Sequence, residues 1–261
     1  DAVRVFLAVA RLGAVAVPIF SGFGAGAVQA RLVDGSCRLL VTTDAMSRRG
    51  QPVDLEAVAT LAATGAVALG VDVEVVRIEQ LRSSEAAPAD PVVTDAEAPV
   101  LLAYTSGTTG RPKGAVHTHG APYWTARLYG DAVLGLTEQD VCFSAAKLFF
   151  AYGLGNALSF PLTVGATVLL MAERPTPEAI FRRWTERKPT VFFGAPTGYA
   201  GMLASPNLPP KDAVALRLCS SAGEALPREI GERFTAHYGC EIIDGIGSTE
   251  MLHIFISNRP G

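Results

Sequence analysis

The sequence predicts an α/β fold in which largely parallel sheets are covered by helices. Two observations lead there. Short, nearly all-apolar runs rich in β-branched residues recur along the chain, as strands buried on both faces require. Amphipathic helical periods separate these runs, so strand and helix alternate. With 261 residues, 49% of them hydrophobic, the chain can bury a sizeable core and form one large domain or two lobes, with more than one sheet.

The elements follow in order. Helical periodicity over residues 3–12 passes through Gly13 into a short apolar run, 14–19. A helix over 25–34 leads to a strand over 38–42. Then come a helix over 55–63, a strand over 73–78 and a polar Ala/Pro/Asp loop over 83–91. A buried-strand pattern covers 100–104. Beyond it, strands are expected at 141–145, 166–170, 191–194, 216–220 and 241–246. Helices are expected at 122–131, 154–162, 177–187, 197–204 and 227–238.

Several function classes drop out early. The 22 basic and 25 acidic residues give a net charge of -3 with no basic patch, so no nucleic-acid partner is expected. Cys37, Cys142, Cys219 and Cys240 are far apart, form no CxxC pair and have no histidine at ligand spacing, which makes them reduced core residues. The longest apolar stretch, 58–71, is broken by Thr60, Thr64, Gly65 and Gly70 and falls short of the ~20 residues of a spanning helix. A cytoplasmic protein without a membrane partner is the expectation. Asp1 lies inside a helical pattern and the sequence stops at Gly261, so a fragment is also expected.

The strongest motif follows the strand over 100–104. Thr105, Ser106, Gly107, Thr108, Thr109, Gly110, Arg111, Pro112, Lys113 and Gly114 combine three glycines, four hydroxyls and two cations. Glycines let backbone N–H groups approach an anion, hydroxyls add donors and the cations add charge, which suits a polyphosphate. A solvated Gly/Thr turn would explain any three of these residues but not ten in this order. A Walker P-loop needs Gly-Lys-Ser/Thr at its end, whereas Lys113 here lies between Pro112 and Gly114.

Residues 105–114 resemble the signature phosphate loop of the adenylate-forming (AMP-binding) acyl-CoA synthetase family. Two later segments resemble the same family in the expected order, 220–227 (Ser-Ser-Ala-Gly-Glu-Ala-Leu-Pro) and 244–250 (Asp-Gly-Ile-Gly-Ser-Thr-Glu). The resemblance implies an ATP site in which Thr105, Ser106, Gly107, Thr108, Thr109, Gly110 and Lys113 hold the β- and γ-phosphates. Ala222, Gly223, Glu224 and Ala225 would line the adenine from one side, with Asp244, Gly245 and Ile246 on the other. Thr249 would contact the α-phosphate and Glu250 would bind Mg²⁺, a hard cation that prefers carboxylate oxygen. Thr249, Glu250 and Lys113 are the implied catalytic residues.

Segments 122–130, 144–156 and 247–260 resemble the benzoate-CoA ligase branch. That likeness implies an acid pocket made by Ala151, Tyr152, Gly247, His253 and Ile254, whose aromatic and aliphatic walls suit a flat ring. A histidine or a main-chain donor there could orient a carboxylate. Residues 13–24 and 47–50 resemble the short-chain acyl-CoA synthetase branch instead, so a short aliphatic acid stays open.

The implied function is ATP-dependent activation of a carboxylic acid, benzoate or a related aryl acid, as its acyl-adenylate, with CoA as the co-substrate that takes the acyl group. An adenylation domain loading a carrier protein and a non-catalytic adenylate-binding module are the alternatives. In domain terms the resemblance implies part of a large N-terminal domain, 1–261. Residues 1–98 would form a first-lobe segment and 99–261 the phosphate-loop and pocket segment. The C-terminal catalytic domain would be absent, and a fragment without it is expected to be nearly inactive.

Overall fold

A computed structural model describes residues 1–48, 50–105 and 112–261. The chain divides into two compact units, Asp1–His117 and Thr118–Gly261. The chain around Ala16 bonds to the strand leading into the phosphate-loop motif, which keeps that strand in the first unit: Ala16 N donates to Val100 O at 2.8 Å and Leu102 N to Ala16 O at 2.9 Å.

In the first unit α1 (Ala2–Arg11) and α2 (Ala25–Asp34) precede β1 (Leu39–Thr42), β2 (Ala45–Arg48) and β3 (Gln51–Asp54). They are followed by α3 (Leu55–Val67), β4 (Glu74–Arg77), α4 (Ile78–Ser83), β5 (Pro99–Thr105) and β6 (Lys113–Thr118). β1 and β4 pair in parallel, β2 and β3 form an antiparallel pair, and β5 lies beside β6. The core is α2 on α3, with Val28, Leu32, Ala62, Ala63, Ala66 and Val73 buried. Asp54 caps α3 by accepting from Ala57 N at 2.8 Å.

Two readings change here. The run 14–19 is no strand but a single bridge, Ala16 to Leu101, and Pro18 lacks the N–H that a ladder needs. α3 continues past 63 because fully buried Ala66 carries the apolar face of Ala62 and Ala63 one turn further across Gly65. The pair β2–β3 and strand β6 were not anticipated.

The second unit opens with α5 (Gly120–Thr125), which continues as a π-helical segment, Ala126–Asp131. Next are β7 (Val141–Ser144), α6 (Ala151–Leu154), a second π-helical segment (Gly155–Ser159), α7 (Phe160–Val164) and β8 (Thr167–Leu169). The chain continues through α8 (Pro177–Arg187), β9 (Val191–Gly194), α9 (Pro196–Leu203), β10 (Leu218–Ala222), α10 (Arg228–Tyr238), β11 (Ile242–Gly247) and β12 (Ile254–Ser257). Its six-stranded sheet runs in the order β12-β11-β10-β9-β7-β8. All its pairs are parallel except β11–β12, so the mostly parallel expectation holds and the antiparallel edge is new.

Alternation along the strands divides the core into two layers. Phe143, Phe192, Cys219 and Ile242 face α8, α9 and α10 through Trp184, Tyr199, Phe234 and Tyr238. Cys142, Val191, Phe193, Leu218 and Ile243 face the opposite way, towards Tyr129 and Phe160 of the helices there. Trp184 is fully buried and meets Phe192 and Tyr238 edge-on, at 5.1 and 5.6 Å between ring centroids. Cys142, Cys219 and Cys240 are buried free thiols, as expected of core cysteines, whereas Cys37 is a half-buried free thiol packed against the first unit's core. No described helix is long and apolar enough to cross a membrane.

Just before β7, Asp140 is buried and takes Arg217 Nε and Nη2 at 2.7 and 2.6 Å, Thr190 Oγ1 at 2.7 Å and Thr137 N at 2.9 Å. Burial alone would raise its pKa, but the bonds from Arg217, Thr137 and Thr190 outweigh that and hold it at about 2. An unfolded aspartate titrates near ~3.9, so this bond set contributes fully above that pH and is lost as pH falls through about 2. We predict that Asp140→Ala lowers stability by about 2–3 kcal/mol in denaturant titration, below the loss for a fully enclosed pair because Arg217 can reach water. An unchanged midpoint would show that the pair contributes nothing.

Candidate active site

The second unit gathers its motif residues at the C-terminal ends of parallel strands, where open α/β sheets bind ligands. β10 ends at Ala222 and β11 at Gly247, in parallel register with Ser221 beside Asp244 and Ala222 beside Gly245. The two segments read as adenine-lining are therefore neighbours through main-chain pairing. Gly223 turns the chain out of β10 at φ +99°, a conformation that L side chains rarely adopt. Glu224 and Ala225 are exposed beyond it. Asp244 ties the two segments together, because its Oδ2 accepts from Leu226 N at 3.1 Å.

After β11 the chain makes a tight turn. Leu252 N donates to Thr249 O at 3.1 Å, Met251 N to Ser248 Oγ at 3.2 Å, and Leu252 sits at φ +63°. Thr249 and Glu250 lie on this turn, half-buried and exposed respectively. The turn returns the chain as β12, which places Ile254 opposite Gly247. A Cβ on Gly247 would lie 2.9 Å from His253 O, so only glycine fits this close backbone approach.

The residues read as an acid pocket meet here. His253 and Ile254 are buried, Tyr152 and Ala151 are half-buried, and Gly247 is exposed. Tyr152 and His253 rings are 5.2 Å apart, and Phe160 and Tyr129 approach the same imidazole at 4.4 and 5.4 Å. Gly155 makes this possible, since a Cβ there would overlap the His253 ring. It begins the second π-helical segment, a distortion that often marks functional positions.

Several polar atoms of this cluster are tied to one another, while His253 Nδ1 and Asn156 Nδ2 are buried without a hydrogen-bond partner among the described residues. Tyr152 Oη donates to Ser220 Oγ at 3.2 Å, and Tyr129 Oη lies 3.0 Å from that oxygen. His253 Nε2 faces Tyr152 O at 3.3 Å and Asn156 Oδ1 at 3.0 Å. A main-chain oxygen only accepts, so Nε2 carries the hydrogen. Burial lowers the imidazole pKa to about 3 and raises both phenols, Tyr129 to about 12. His253 is thus neutral, with its N–H committed to internal acceptors.

Sequence reading singled out neither Ser220 nor Tyr129 for a role, and Asn156 appeared only within a matching segment. The Tyr129–Ser220 contact spans 91 residues and the His253–Asn156 contact 97, so no local pattern announces them.

The phosphate-loop flanks belong to the first unit. Thr105 ends β5 half-buried and Lys113 begins β6 exposed. Tyr104, next to Thr105, donates to Asp34 Oδ2 at 2.6 Å, with the Arg31 guanidinium 5.3 Å from its ring centroid. Ser106, Gly107, Thr108, Thr109, Gly110 and Arg111 lie outside the described residues.

The depressed pKa of His253 predicts how stability varies with pH. An unfolded histidine titrates near ~6.5, so unfolding takes up a proton below that pH. We predict full stability from this site above ~6.5, declining as pH falls towards about 3. The ring NMR signals of His253 are expected to stay constant from about pH 8 to 5; a midpoint near ~6.5 would show an exposed imidazole.

Known proteins resemble this chain in sequence and fold. The chain is 61% identical over 158 residues to the benzoate-CoA ligase of Thauera aromatica, an alignment covering 60% of this chain and 30% of that enzyme. The crystal structure of a benzoate CoA ligase from Burkholderia xenovorans LB400 superposes with a TM-score of 0.85 at 48% identity, over 97% of this chain and 50% of that one. An anthranilate CoA ligase, AuaEII, solved with anthranoyl-AMP, gives 0.84 at 35% identity over 98% and 49%. The chain therefore spans about half the length of these solved relatives. The model of the AMP-binding enzyme family matches residues 1–261, and the chain belongs to that family.

Proposed function

We propose that the chain supplies the nucleotide and acid sites of an ATP-dependent ligase that activates an aryl acid, benzoate or a close analogue, and transfers it to CoA. The observation that carries this reading is the meeting of the two nucleotide segments and the aromatic wall at the ends of β10 and β11. Strong likeness to benzoate-CoA ligases supports the acid and the thiol acceptor.

In this reading the adenine lies between the turn Ala222, Gly223, Glu224, Ala225 and the strand residues Asp244, Gly245 and Ile246. The ring of the acid rests on Tyr152, His253 and Ile254, beside Ala151 and Gly247. A carboxylate oxygen attacks the α-phosphorus, the bond to the bridging oxygen breaks, and pyrophosphate leaves. Thr249 holds the α-phosphate. Lys113 and the loop residues Thr105, Ser106, Gly107, Thr108, Thr109 and Gly110 hold the departing phosphates. The task is positioning and stabilisation of spread negative charge. The thiol of CoA then attacks the acyl carbon and AMP departs.

Glu250 would be the protein ligand for Mg²⁺. Among the described residues no three His, Cys, Asp or Glu side chains cluster to enclose a metal. That fits an ion which keeps waters and takes its remaining ligands from nucleotide phosphates. Bound there, it would neutralise charge on the leaving group.

The test is calorimetry with ATP-Mg, benzoate and acetate. Benzoate is expected to bind more tightly than acetate, and Tyr152→Ala to weaken benzoate at least about tenfold while ATP affinity stays within about twofold. Tighter acetate binding would favour a short-chain acid. Loss of ATP binding alone in the variant would place the acid elsewhere.

A further inference from the structure

We propose that Ser220 is a positioning residue for the acid pocket, fixing the Tyr152 ring through a bond between their hydroxyls. The inference rests on the reading of Tyr152 as a wall of the acid site.

Ser220 is fully buried on β10, two residues before Ala222. Its Oγ receives Tyr152 Oη at 3.2 Å and lies 3.0 Å from Tyr129 Oη, and its main-chain oxygen accepts from Tyr199 Oη at 2.8 Å. Three tyrosines from three helical segments therefore converge on one residue of the central sheet. A serine hydroxyl has one hydrogen and two lone pairs. Tyr152 uses one lone pair, and the Ser220 hydrogen is then available to Tyr129, so both contacts can be made at once.

The geometry makes the bond consequential for Tyr152. The residue stands near the start of the continuous helical run 151–164 and is half-buried, so part of its ring lacks the packing that encloses a buried side chain. An edge-on contact to Phe193 at 6.4 Å and a tilted one to His253 at 5.2 Å bound the ring. The hydroxyl bond pins its far end to a strand that is paired on both sides. Tyr129 shares the same oxygen but is buried, so its ring is held by packing in any case. Ser220 thus joins the strand that ends in the adenine-lining turn to the wall facing the acid.

The test is a double-mutant cycle in the full-length protein, read by benzoate-dependent ATP–pyrophosphate exchange. Ser220→Ala and Tyr152→Phe are each expected to raise the KM for benzoate about three- to tenfold, the loss of one hydrogen bond, with the KM for ATP within about twofold. The double variant is expected to be no worse than the poorer single one, since both remove the same bond. Additive effects, or an equal rise in both KM values, would overturn the proposal. Should Ser220→Ala not fold, Tyr152→Phe keeps the ring and decides alone: an unchanged benzoate KM overturns it. A wild-type protein without benzoate-dependent exchange would overturn the acid assignment and this inference together, whereas an active wild type with unaffected variants would overturn this inference alone.

Discussion

The parallel pairing of β10 with β11 is the constraint on which the second unit depends. β10 is buried along its whole length and β11 over Ile242 and Ile243, and their register sets Ala222 against Gly245. A slip of one residue would move Cys219 and Ile242 out of the layer around Trp184 and put Leu218 and Ile243 in their place. Two differently shaped layers thus lock one register. That register also leaves the strands ending together, so the turn at Gly223 and the turn at residues 248–253 emerge side by side. The site is a consequence of how the sheet is packed.

The two layers have different characters. The one around Trp184, Phe192, Phe234 and Tyr238 is closed by edge-on aromatic contacts and helices α8 to α10. The other carries Ser220, Asn156, His253, Tyr129 and Tyr152 among its apolar side chains. Buried polar groups are costly unless paired, and when paired they define positions more sharply than apolar packing does. The neutral imidazole of His253 fits that scheme through Nε2, while its Nδ1 is buried without a hydrogen-bond partner among the described residues. Its ring fills space that Gly155 leaves open, and its Nε2–H ties the π-helical segment to the end of β11.

Much of this was legible in the sequence because the signals are local. Helices 25–34 and 177–187 and strand 191–194 appear where periodicity puts them, since amphipathic stripes and all-apolar runs decide such elements without help. The antiparallel strand β12 was not legible. Its residues read as part of the segment 247–260 that resembles the benzoate-CoA ligase branch, and the turn held by Ser248, Thr249 and Leu252 sends them back along β11. The run at 14–19 misled for the opposite reason, having strand composition but only one bridging partner. At the site, Tyr152, Gly247, His253 and Ile254 could be chosen by resemblance and do lie together. Ser220, Tyr129 and Asn156 could not be chosen, because their partners lie about ninety residues away in the chain. The neutrality of His253 was equally hidden, being a property of burial.

A crystal structure with a non-hydrolysable benzoyl-adenylate analogue tests the central claim most directly. If the strand ends form one acid and nucleotide site, the adenine will rest between residues 223–225 and the strand from Asp244, and the aryl ring will contact Tyr152 and Ile254. An aryl group bound away from Tyr152, or an adenine away from the end of β10, would contradict it.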